Sequence, residues 1–168
     1  ISQRTAGSLL HLSSLPGSYG IGNLGSDARS FVDFLARSGI RFWQTCPVGP
    51  TGYGDSPYQV FSSFAGNPYF IDWDPLIRIG LIHEEELSAL RELPSQEVDY
   101  GRLYQEFFPC ARLAFSRFPE FKDDLEALYG NMESFSLENE SWLKSYACFQ
   151  VLKEREEGKP WWKWSESS

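Results

Sequence analysis

A chain of 168 residues with 42% apolar side chains is long enough for one domain, or one domain with an appendage, and rich enough in apolar residues for a core. Its formal net charge of −8 argues against nucleic-acid partners and against an anionic membrane surface, since both favour basic stripes that neutralise phosphate. No apolar run approaches a membrane span and no signal-like leader is apparent, so a cytoplasmic protein is expected.

The charge is unevenly placed. Residues 1–80 carry five Arg against five Asp, with no Lys or Glu, whereas residues 81–168 carry ten Lys and Arg against eighteen Asp and Glu. Two parts are therefore expected: a neutral, Gly/Pro/aromatic-rich region over 1–80 and a charged, helical region over 81–168. Cys46, Cys110 and Cys148 are odd in number, widely spaced and accompanied only by His11 and His83, a pattern that suits buried reduced thiols better than disulfides or zinc.

In chain order, Ser8 to Leu12 forms a short apolar run stopped by Pro16 and Gly17, which predicts a strand and then a loop. Ser26 is placed to cap a helix that buries Phe31, Phe34 and Leu35 on one face and stops at Gly39. Arg41 to Cys46 reads as a second strand. Strand, helix and strand in this order predict a βαβ unit with parallel neighbouring strands, hence an α/β fold class. A long turn-rich loop follows, with a third apolar segment, a candidate strand, near Tyr69 to Ile71. Beyond it the pattern is helical over Glu84 to Glu92, Asp99 to Phe118 and Glu138 to Glu157, with Pro109 expected to kink or split the second of these.

Gly20, Gly22 and Gly25 spell G-x-G-x-x-G, yet "SSLPGSY" separates them from the strand, and Cys46 and Pro47 stand where a ribose-binding acid belongs. A pyrophosphate cradle needs the first glycine at the strand's end. The glycines are better read as a loop using positive φ to deliver Ser26 to its cap, and no nucleotide cofactor is expected.

The segment "TGYGDSPYQ" places Tyr53 between glycines, so its ring has little neighbouring bulk to pack against, and Tyr58 after a proline. Exposed rings match the apolar faces of sugars, and Asp55, Ser56, Gln59 and Asn67 offer hydrogen-bonding groups for the hydroxyl edges. An ordinary packed loop is the competing reading on composition alone.

The runs "GSLLHLSSLPGSYGIGNLG", "FWQTCPVGPTGYGDSPYQVFSSFAGNPYFID" and "ENESWLKSYACFQVLKEREEGKPWWKW" closely resemble the N-terminal part of 4-α-glucanotransferases of the amylomaltase, or disproportionating enzyme, type, glycoside hydrolase family 77 of the α-amylase superfamily. Departures are Asn23, where that family more often has Asp, Ser165, where it usually has Pro, and Pro109 within a family helix.

The resemblance implies the opening units of a (β/α)₈ TIM barrel over 1–80 and a helical insertion over 81–168. The implied reaction moves α-1,4-glucan segments between malto-oligosaccharides, with starch- or glycogen-derived glucans as donors and glucose as an acceptor, and with no metal or organic cofactor. A retaining transfer of this kind uses a nucleophile and an acid/base about 5 Å apart. The nucleophilic Asp and the acid/base Glu are expected beyond Ser168, so the chain alone is expected to be inactive, Asp72 and Asp74 serving as turn caps.

By position, the resemblance places Tyr58 against the sugar beside the scissile bond, Ser56 and Asp55 along the same cleft, and Tyr53 near an acceptor or a more distant part of the glucan. Tyr100 is a candidate remote contact, though packing on a helix face is the simpler role. His11 is expected to be a hydrogen-bonded core residue, Trp43 and Gln44 to pack inside the barrel, and "PWWKW" to dock on the remaining barrel. A non-catalytic glucan-binding module using the aromatic loop alone is the alternative.

Overall fold

The parallel pair at the start of the chain is formed by β1 (Gly7–Leu9) and β2 (Phe42–Gln44), with Gly7, Ser8 and Leu9 in register with Phe42, Trp43 and Gln44. The computed structural model describes residues 4–52 and 54–165. Between the strands lies α1 (Ser26–Arg37), so the predicted βαβ unit is present, with strands shorter than expected.

α1 ends because Gly39 adopts φ +70. There Gly39 N–H donates to Ala36 O at 3.1 Å and Ile40 N–H to Leu35 O at 3.0 Å. These are the two crossed bonds of a Schellman cap. The other end differs from expectation. Gly25, not Ser26, occupies the cap position, and its N–H donates at 2.9 Å to the buried Asn23 side chain. The buried face is Ala28 and Leu35 with Phe31 half-buried against Trp43 at 5.1 Å, while Phe34 is 53% exposed.

The third apolar segment is no strand. Pro68–Phe70 forms a 3-10 turn, because Asn67 accepts the Tyr69 N–H at 3.0 Å and Pro68 fixes the first turn. α2 (Asp74–Arg78) follows at once, a short helix where the sequence suggests a turn. Glu84 to Glu92 resolves into a 3-10 turn over Glu84–Leu87 and then α3 (Ser88–Arg91).

α4 (Tyr100–Ser116) starts where Asp99 accepts the Arg102 N–H at 3.0 Å. It buries Leu103, Phe107, Cys110 and Ala114 on one stripe. Pro109 neither splits nor ends it. Both Pro109 and Gln105, whose carbonyl loses its helical donor, lie on the exposed side, so that the carbonyl is not shut away from solvent. Phe107 packs edge-on to Tyr69 at 5.1 Å and to Trp73 at 5.3 Å. Removing such a ring from water contributes about 2–3 kcal/mol, enough to hold a helix with one missing backbone bond.

Two compact units part at 124/125, Ile1–Asp124 and Leu125–Ser168. Leu81, Ile82, Leu87 and Leu90 are core residues of the first unit together with Tyr19, Trp73 and Leu103. The boundary falls within α5 (Lys122–Tyr129). The second unit contains α6 (Met132–Glu138) and α7 (Glu140–Arg155). Along α7 Trp142, Tyr146 and Phe149 are half-buried, whereas Val151 is exposed. Trp164 lies 5.7 Å from Phe149 and donates to Lys159 O at 2.8 Å, while Trp161 and Trp162 are exposed. No described helix is long and apolar enough to cross a membrane.

Candidate functional site: the loop at the strand ends

The glycine loop that leads into α1 is dictated by contact more than by φ. Only Gly20 of its three motif glycines has positive φ, at +77. A Cβ on Gly22 would stand 2.2 Å from the Leu12 carbonyl oxygen, and one on Gly25 would stand 2.6 Å from Asn23 Oδ1. A close backbone passage at Gly22 and close side-chain contacts at Gly20 and Gly25 thus explain the motif without a phosphate.

At the carboxyl ends of the strands, Leu10 N–H extends the ladder to Gln44 O at 3.0 Å. Trp43 Nε1–H reaches back to Leu10 O at 2.7 Å, and Trp43 is half-buried. Gln44 is exposed. His11 and Thr45 follow their strands and meet at 3.0 Å, Nδ1 to Oγ1. His11 also sits edge-on to Phe70 at 5.7 Å, and its partial burial holds the imidazole below its ordinary pKa. Strand carboxyl ends are where α/β folds gather ligand-binding groups, because the loops beginning there are free of the sheet.

The aromatic loop is closed by three backbone rungs. Asn67 N–H donates to Val48 O at 2.8 Å, Phe61 N–H donates to Pro50 O at 3.0 Å, and Thr51 pairs antiparallel with Val60. Gly49 permits this approach, since a Cβ there would lie 2.9 Å from Ser62 O. Asn67 is buried and serves the Tyr69 N–H, so it caps a turn and does not face a ligand as the sequence reading supposed.

Outside the rungs, Asp55 N–H bonds Gly52 O at 3.1 Å and Gln59 N–H bonds Ser56 O at 3.0 Å, giving two consecutive turns. Asp55 itself adopts φ 53, a left-handed conformation that Asp tolerates better than most residues. Ser56 Oγ accepts the Tyr58 N–H at 3.4 Å. Tyr58 is thereby lifted out of the protein, 74% exposed. Its hydroxyl lies 3.6 Å from Cys46 Sγ, and this hydrogen bond raises the phenol above its ordinary pKa. Gln59 is exposed beside it. Tyr53 lies outside the described residues.

Asp55 is half-buried, and burial raises its carboxyl above the ordinary Asp value. Tyr69 is raised further, first by burial and then by the charge of Asp55 and by Tyr104 and Tyr100. Tyr100 is half-buried and Tyr104 exposed, edge-on to Phe108 at 5.3 Å. Asp55 and the α4 tyrosines thus both act on Tyr69, whereas Ser56 and Tyr58 share the loop tip.

Asp72 caps a turn as expected, whereas Asp74 makes a long-range contact instead. Asp72 accepts the Asp74 N–H at 3.2 Å and pairs with Arg29 at 3.2 Å; Asp74 accepts the Tyr19 hydroxyl at 2.7 Å. Of the thiols, only Cys110 is buried; Cys46 is half-buried and Cys148 exposed, correcting the expectation of three buried ones. Among the described residues no three His, Cys, Asp or Glu side chains converge to hold a metal ion.

Comparison with solved structures identifies the class. An amylomaltase from Streptococcus agalactiae in complex with acarbose superposes with TM-score 0.86 at 36% identity, over 98% of this chain and 32% of that one. The 4-alpha-glucanotransferase of Thermus thermophilus is 46% identical over 164 residues, 96% of this chain and 31% of its own length. That of Streptococcus pneumoniae is 42% identical over 168 residues, 99% of this chain and 32% of its own length. The glycoside hydrolase 77 family model, 4-alpha-glucanotransferase, matches residues 10–168, and the chain belongs to that family. It spans about a third of the length of these relatives.

Proposed function

We propose that the protein carrying this chain transfers α-1,4-glucan segments between malto-oligosaccharides by a retaining double displacement, and that the loop over 48–67 forms part of its sugar-binding cleft. The observation that carries this reading is the Tyr58 ring, 74% exposed on a loop rooted at the carboxyl end of a parallel strand pair, in a chain of this family. The acarbose complex of the related amylomaltase supports oligosaccharide ligands, and family membership favours an enzyme over a stand-alone glucan-binding module.

In this reading Tyr58 stacks on the sugar beside the scissile bond. Ser56 and Asp55 line the same cleft, and Tyr53 touches an acceptor or a more distant glucose. Stacking presents a rigid apolar plate to the C–H face of the ring, so the substrate is oriented before any bond moves. The bond-breaking carboxylates, an Asp nucleophile and a Glu acid/base about 5 Å apart, lie elsewhere in the protein, and the 168 residues alone do not catalyse. The parallel pair begins a (β/α)₈ barrel, with 81–168 as a helical insertion. Starch- or glycogen-derived glucans are the donors, glucose is an acceptor, and the setting is cytoplasmic.

The test is incubation of the protein carrying this chain with maltotriose. Glucose together with oligosaccharides longer than the substrate is the expected product set, and Tyr58→Ala lowers the rate at limiting substrate by about tenfold, the equivalent of one lost stacking contact. Release of glucose and maltose without longer products would mean hydrolysis and would overturn the transfer reading.

A further inference from the structure

We infer that Cys46 is a positioning residue that sets the tilt of the Tyr58 ring over the sugar-binding face. The inference rests on the reading of Tyr58 as a stacking plate. Ser56 fixes the Tyr58 backbone through its Oγ and carbonyl, which bond the Tyr58 and Gln59 N–H groups, yet these bonds leave both ring torsions free. Among the described residues no aromatic ring stacks on Tyr58, and its hydroxyl has one hydrogen-bonding partner, Cys46 Sγ at 3.6 Å.

Cys46 is well suited to anchor the ring. It stands two residues beyond β2, next to Thr45, whose hydroxyl is bonded to His11 at 3.0 Å, so its backbone belongs to the strand ends and not to the loop. Sulfur is large and polarizable, and its hydrogen bonds reach further than those of oxygen. The contact thus ties the ring to a residue at the strand ends. Without it the ring occupies several rotamers in the free protein and must be ordered by the sugar, which weakens binding by about two- to tenfold.

The test is a double-mutant cycle on kcat/KM for maltotriose in the protein carrying this chain, using Cys46→Ala, Tyr58→Phe and the pair together. Cys46→Ala is expected to lower kcat/KM by about two- to tenfold in the otherwise unchanged protein, and to have no effect once Tyr58→Phe has removed the hydroxyl. A loss of the same size in both backgrounds would mark Cys46 as general packing, and no loss in the unchanged protein would leave it without a role; either overturns the inference. Tyr58→Ala measured in the same series separates the two claims. If it retains full kcat/KM, the stacking plate falls and the role of Cys46 with it; if it loses kcat/KM while Cys46→Ala does not, only the role of Cys46 falls.

Discussion

Arg117 clasps Glu86 with both ends of its guanidinium, Nη1 to Oε2 at 2.8 Å and Nη2 to Oε1 at 2.6 Å. Nη1 also donates to Leu81 O at 3.0 Å, and the His83 N–H adds a further bond to Glu86 Oε2 at 2.8 Å. The pair therefore joins the end of α4 to the turn before α3. Chiefly through Arg117, these bonds lower the Glu86 carboxyl from 4.5 to about 2. A carboxyl lowered in the folded state stabilises the protein above its unfolded pKa, and that contribution disappears as pH falls through the folded value. Glu86→Gln should reduce the urea midpoint at pH 7, and the difference from the unchanged protein should shrink between about pH 4.5 and 2. An unchanged difference across that range would show that the bridge contributes nothing through its charge.

Gly22 and Gly39 should respond differently to alanine. At Gly22 the new Cβ would meet two backbone oxygens, Leu12 O at 2.2 Å and Leu15 O at 2.7 Å, neither of which can rotate away. At Gly39 nothing lies within 4 Å, and only the φ of +70 resists. Gly39→Ala should cost about 1–2 kcal/mol, the penalty of the left-handed conformation. Gly22→Ala should cost more, about 3 kcal/mol, because the collision moves main chain. Chemical denaturation of the two variants gives the ranking directly; equal midpoints would contradict the packing account of the glycine loop.

Asp55 offers a charge and a backbone conformation that can be separated. Asparagine keeps the left-handed φ of 53 at little cost, whereas alanine should lose about 1 kcal/mol in the loop. Burial raises the Asp55 carboxyl, so its charged form opposes folding and stability is lost as pH rises from the ordinary Asp value through the folded one. Asp55→Asn should therefore melt slightly higher than the unchanged protein at pH 7 and equally at pH 3. If the carboxylate also meets a sugar hydroxyl, as proposed, the same variant should lower kcat/KM for maltotriose several-fold. A variant that melts lower at pH 7 would refute the burial argument.

The parts of the fold legible in the sequence are those governed by local chemistry. β1, α1 and β2 could be placed because apolar runs, a Gly39 stop and a Pro47 break act within a few residues. α4 was found by its stripe, but Pro109 misled, since its tolerance depends on which side of the helix faces water. α5 and α6 escaped notice although Gly130, at φ +91, and Asn131, which accepts the Ser134 N–H at 2.9 Å, mark the break between them. In the candidate site, Tyr58 was legible through the family resemblance and not from its neighbours alone. Cys46 was not, because its meeting with Tyr58 spans 12 residues and exists only once the loop has closed. Asn67 looked like a polar group for a ligand and proved to be a cap, a difference decided by burial alone.

The rungs at Val48, Pro50 and Thr51 have a practical consequence for re-engineering carbohydrate preference. They fasten the loop's stem and leave Ser56 to Gln59 beyond the fastening, so the tip can be rewritten while the stem bears the mechanical load. A library confined to those four positions should vary in ligand choice across its members while sharing one melting temperature.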